Sequence, residues 1–138
     1  MSDSVVDKAM SGAVLADVGE LAGRVLLAGL FFISGLGKIG AYSATAGYMQ
    51  AVGVPGALLP LVIATEVLGA IAIVVGWRTR IVAFLLAGFT LLSALLFHNN
   101  FGDPVQTIMF LKNVSIAGGL LLLVATGAGR FSMDAREG

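Results

Sequence analysis

The sequence predicts an all-α protein, a four-transmembrane-helix bundle with a short interfacial helix in the first outer loop. Three observations lead there. Apolar residues make up 58% of the 138 and charged residues 12%, against about 45–50% and about 25% in soluble domains. Mean hydropathy is +0.99, an excess that a soluble protein this small would have to expose to water. The apolar residues also fall in four runs, 21–39, 57–76, 81–97 and 107–125. Each is close to the ~20 residues a helix needs to cross the hydrocarbon of a bilayer, and a helix satisfies its own backbone hydrogen bonds there.

Taken in order, residues 1–18 read as a cytoplasmic tail or surface helix. Val5, Val6, Ala9, Met10, Ala13 and Val14 recur at helical spacing but acids interrupt them. Asp3 and Asp7 stand where a signal peptide would be basic. Residues 19–130 form the transmembrane unit. The first span holds Arg24 one turn inside its start, where a long side chain is expected to snorkel to the headgroups. The connection 40–56 is too polar to span. Tyr42, Thr45, Tyr48, Met49 and Val52 are helically spaced, and Gly53-Val54-Pro55-Gly56 ends that short helix. Trp77-Arg78-Thr79-Arg80 is a tight turn between the second and third spans. His98-Asn99-Asn100-Phe101-Gly102-Asp103-Pro104 is a loop rich in turn residues before the fourth. Residues 131–138 are a cytoplasmic tail. Gly19/Gly23, Ala72/Gly76 and Ser115/Gly119 are small-residue pairs that could seam helices together.

Six of the eight Lys and Arg, at positions 8, 24, 78, 80, 130 and 136, fall on one side of this topology, and Lys38 and Lys112 on the other. The excess predicts that both termini are cytoplasmic. A net charge of zero with no basic run argues against nucleic acid as a partner. The absence of cysteine removes disulfides and thiol chemistry within the chain. One histidine without cysteine leaves no haem or transition-metal ligand set of the chain's own.

Glu66 carries the most information. A carboxylate in the middle of a span costs roughly 2.5–3.5 kcal/mol on insertion scales, so it faces protein, pairs or takes a proton. The search for its partner points to Lys112, which stands at a similar depth in the fourth span, with Lys38 and His98 around the outer mouth of a shared cavity. The candidate ligand-binding set is Lys38, Glu66, His98, Asn99, Lys112 and Asn113, with no catalytic residue or metal ligand assigned. Plainer readings stand beside it. The Glu66–Lys112 pair would fix helix register, Lys38 would anchor the interface, and His98 would bond a headgroup or carbonyl.

The ordered set Gly35-x-x-Lys38, Gly53-Val54-Pro55-Gly56, Glu66-x-x-Gly69, Gly76-x-x-Thr79-Arg80, Leu96-Phe97-His98 and Phe110-Leu111-Lys112-Asn113 with Gly118-Gly119 resembles the DoxX family of small bacterial inner-membrane proteins. The resemblance runs from about Glu20 to Asp134. It implies the four-helix fold and a bacterial inner-membrane location. It also implies an association with redox chemistry, because the family takes its name from a subunit linked to quinol oxidase and to thiosulfate:quinone oxidoreductase. Two classes of function follow. One is a redox-associated membrane subunit that binds a quinone or similar small aromatic, with any electron carrier supplied by a partner from a respiratory or redox complex. The other is a non-enzymatic structural or assembly subunit. A small transporter of protons or organic anions is a third reading, and four helices would then require a homo-oligomer.

Overall fold

In the computed structural model, which describes residues 2–137, helix accounts for nearly every element, and no strand occurs among the described residues. The order is α1 (Ser2–Gly40), α2 (Tyr42–Ala51), a 3-10 turn (Gly56–Leu58), α3 (Leu59–Val75), α4 (Thr79–Phe97), α5 (Pro104–Thr126) and α6 (Met133–Glu137). Three stretches, Gly56–Val75, Thr79–Phe97 and Pro104–Thr126, are long and apolar enough to cross a membrane. The pair α1 and α2, bent by 99° at their junction, makes a fourth if counted as one span.

Local chemistry sets these boundaries. Proline opens α3 and α5, where its missing N–H costs nothing. Asp103 caps α5 by accepting a hydrogen bond from the Val105 N–H at 2.9 Å. Gly76 ends α3 in the left-handed region at φ 71°, a conformation open to a residue without Cβ. No proline lies between residues 2 and 40, and α1 passes through residue 18 without a break. Its first part and the first span are therefore one rod, about 58 Å long at ~1.5 Å per residue. Residues 3–16 are exposed throughout.

The helices pack as two pairs. α1 lies along α3, α4 lies along α5, the pairs meet where α3 faces α4, and α1 touches α5 only lightly. Small residues fill the core between them, including Ala28, Ala70, Ala83 and Ala87, around Ile73 and Leu86. The closest helix contacts occur at glycines. A Cβ on Gly35 would stand 2.6 Å from Val67 Cγ2, and one on Gly69 would stand 2.9 Å from Leu86 Cδ2. The pair Gly19/Gly23 is not a seam, since nothing lies within 4 Å of either added Cβ. Large side chains such as Leu26, Ile33 and Leu122 point outward, 77%, 72% and 69% exposed, which suits lipid as the surrounding solvent.

Candidate functional site

Because the two helical pairs meet mainly along α3 and α4, they leave a cavity of about 460 Å³ toward the end of the molecule away from the termini. All five helices α1–α5 contribute to its wall. Phe31, Tyr48, Phe89 and Phe97 supply aromatic surface, and Glu66, Lys38, His98, Lys112 and Asn113 supply polar groups. Tyr48 and Phe97 stack with ring centroids 5.7 Å apart.

Gly35 positions the centre of this site. Without a Cβ it lets α1 close on α3 beside Val67 and Glu66, which brings Lys38, one turn further along α1, against Glu66. Lys38 Nζ lies 2.7 Å from Glu66 Oε1 and also donates to Ser34 Oγ at 2.6 Å. Glu66 is 3% exposed. Its second oxygen, Oε2, is buried and has no hydrogen-bond partner among the described residues. A buried carboxylate oxygen left in this state carries a desolvation penalty that a donor entering the cavity would relieve.

The expected partner of Glu66 is thus corrected from Lys112 to Lys38. Similar depth does not bring two side chains together; α1 packs along α3, whereas α5 packs along α4. Lys112 lines the same cavity, but its Nζ contacts only Met109 Sδ, at 3.5 Å on its own helix. Asn113 donates to the Thr90 carbonyl at 3.3 Å and so bridges α5 to α4. His98 Nδ1 is 2.9 Å from Gln106 Oε1. Asn99 does not join the set. It is exposed, lies outside the cavity wall and folds back onto the Leu95 carbonyl at 3.2 Å, because α4 ends at Phe97. Among the described residues no group of His, Cys, Asp and Glu could hold a metal ion.

A second polar centre, at the end bearing the termini, escaped the sequence reading. Arg24 does not snorkel; it is 1% exposed. Its Nη1 donates to the carbonyls of Ile73 and Val74 at 3.1 and 2.9 Å, and its Nη2 donates to the Phe131 carbonyl. Arg24 thereby ties α1 to the open end of α3 and to the segment after α5. Asp134, on α6, accepts the N–H groups of Arg78 and Thr79 at 2.7 and 2.9 Å and caps α4. Burial pushes the Asp134 carboxyl up, but these bonds and the Arg24 charge outweigh it and hold the group below the usual carboxylate range. The signal available in the sequence was Gly76, Gly127 and Gly129, all at positive φ. At Gly76 an added Cβ would collide with Ser132, and at Gly129 with Glu20.

The family model described as DoxX matches residues 19–99. The chain is 52% identical over 120 residues to "Inner membrane protein YqjF" of Escherichia coli (strain K12), covering 87% of this chain and 92% of that one. It is 41% identical over 123 residues to "Inner membrane protein YphA" of the same organism, covering 84% and 88%. No solved structure matches. A family model spanning more than half of the chain and relatives matched over most of their length make this protein a member of the DoxX family.

Proposed function

We propose that this DoxX-family protein resides in the bacterial inner membrane, with both termini cytoplasmic and α2 at the outer interface, and binds a quinol, quinone or similar small aromatic in the cavity. The observation that carries the reading is Glu66 Oε2, a buried acceptor without a donor in the wall of an aromatic-lined pocket. A quinol hydroxyl is a donor of the right kind. Its ring would lie among Phe31, Phe89 and Phe97, and its apolar tail would leave between the helix pairs toward lipid. Lys38 holds the other Glu66 oxygen and orients the carboxylate. Electron transfer would belong to a partner protein, and this chain would contribute binding and a proton-accepting group. Location in the inner membrane rests on the two Escherichia coli relatives, both named as inner membrane proteins. Orientation rests on the Lys and Arg bias.

The experiment is binding of a short-chain benzoquinol to the protein in phosphatidylcholine nanodiscs. Wild type is expected to bind saturably, Glu66→Gln about tenfold more weakly (~1.4 kcal/mol), and the folded double variant Glu66→Leu with Lys38→Met not at all. The 2.7 Å ion pair favours a second reading, in which it only locks α1 to α3 within a structural subunit. Absence of binding, or equal binding by all three proteins, would establish that reading instead.

A further inference from the structure

Lys112 is the charge in the cavity wall that no ion pair balances among the described residues. Glu66 is matched by Lys38 at 2.7 Å, and His98 is engaged by Gln106. The sole hydrogen-bond contact of Lys112 Nζ is a thioether, Met109 Sδ, a weak acceptor with no charge. Yet Lys112 stands about 12 Å along α5 from Pro104 at ~1.5 Å per residue. Its side chain is exposed, so the ammonium is open to a group entering the cavity. With Lys38 and Glu66 cancelling, the cavity holds one surplus positive charge beside one orphaned acceptor, Glu66 Oε2.

We infer that the ligand of this cavity is an acid: an amphipathic hydroxyaryl carboxylate. Its ring hydroxyl donates to Glu66 Oε2, and its carboxylate pairs with Lys112 Nζ. This rests on the proposed reading of the cavity as a binding site and adds the charge of what binds. The ring hydroxyl is common to a quinol and to such an acid; the acid group is what Lys112 requires. A carboxylate, ionised near neutral pH, brings the single charge that one ammonium neutralises. A phosphate monoester would bring ≈ −1.5 to −2 and leave negative charge in an apolar site. The apolar part of the wall, with Leu61, Leu92 and Ile116, suits an alkyl substituent on the ring.

The test compares three probes in phosphatidylcholine nanodiscs: a 3-alkyl-4-hydroxybenzoate, its methyl ester and a short-chain benzoquinol. Ester and acid share ring, hydroxyl and tail and differ in charge. Wild type is expected to bind the acid at least about tenfold more tightly than the ester (~1.4 kcal/mol). Lys112→Met is expected to abolish that preference, the acid then binding no more tightly than the ester, and Lys112→Arg to keep it. Equal binding of acid and ester by wild type, or a preference that survives in Lys112→Met, overturns the inference while Glu66-dependent benzoquinol binding leaves the parent reading standing. An acid preference that disappears when phosphatidylglycerol is included assigns Lys112 to a lipid headgroup and also overturns it. If none of the probes binds, both readings fall together.

Discussion

Arg24 and Glu66 are both charged side chains withdrawn from solvent in apolar helices, 1% and 3% exposed, yet the molecule uses them in opposite ways. Arg24 spends both terminal nitrogens on backbone carbonyls of α3 and of the segment after α5. The Ile73 and Val74 carbonyls belong to the last turn of α3, which has no intrahelical donor for them, so the guanidinium fork acts as a clasp. A Cβ added at Gly76 would meet Ser132 and Arg24. Glu66 spends one oxygen on Lys38 and keeps the other, facing a cavity, unbonded. Among the described residues each keeps one buried polar atom unbonded, Arg24 Nε and Glu66 Oε2, but Glu66 lines the cavity and Arg24 does not. Burial of a charge inside a span therefore does not by itself mark a site; the leftover bonding capacity beside empty volume does.

The largest effect should come from breaking the clasp. Arg24→Met leaves three carbonyls without their donor and is expected to cost on the order of 3–5 kcal/mol, as removal of a buried charged partner does. The readout is thermal unfolding and yield in mild detergent. Arg24→Lys should recover little, because one ammonium cannot reproduce the fork. A stable Arg24→Met protein would erase the distinction between the two centres.

Next in size is the Lys38–Glu66 pair. Glu66→Leu strands the Lys38 ammonium. The expected loss is about 2 kcal/mol, below the ~3–5 of fully buried pairs, because the Lys38 side chain is 27% exposed and keeps Ser34. Glu66→Gln should be milder, since the amide still accepts a hydrogen bond. Adding Lys38→Met to Glu66→Leu should restore most of the loss, whereas adding Lys112→Met should not. A double-mutant cycle that couples Glu66 to Lys112 rather than Lys38 would contradict the pairing. Lys112→Met alone should shift stability by no more than about 0.5 kcal/mol, which separates a charge kept for a ligand from one kept for the fold.

These expectations depend on contacts that the sequence made legible only in part. The spans could be read because each is a predominantly apolar run close to spanning length, and Glu66 stood out because it lies near the middle of one. Gly35 and Gly69, quoted in the family pattern, are the positions where helices approach most closely. The identity of the Glu66 partner was not legible. Two lysines stood at plausible depths, and periodicity reports depth along a helix but not which helix lies alongside. Arg24 looked like an interfacial anchor because the chain that covers it, the segment from Gly127 to Asp134, carries no apolar periodicity to announce that it folds back. Asn99 was grouped with His98 by adjacency, but α4 ends at Phe97 and its side chain turns away from the cavity.

A smaller effect than at the centre of the clasp is expected at its rim. Asp134→Ala removes a two-pronged cap from α4 and should cost about 1–2 kcal/mol. The Asp134 carboxyl is held below its usual range, so its contribution is fully present above the unfolded value of about 3.9. It is lost as pH falls through the lower folded value. The melting-temperature gap between wild type and Asp134→Ala should thus be constant from roughly pH 5 to 8 and close on acidification below about 4. A gap that widened in acid would reverse the assigned sign.

The central claim, that the Lys38–Glu66 cavity is kept for a ligand, is tested most directly by native mass spectrometry of the protein extracted in its own lipid. Wild type should carry a small aromatic in near-stoichiometric amount. The folded double variant Glu66→Leu with Lys38→Met should have lost it, and Arg78→Gln with Arg80→Gln, altered at the other end, should retain it. Wild type free of any small molecule, or the same aromatic retained by the Glu66 and Lys38 double variant, would contradict the claim.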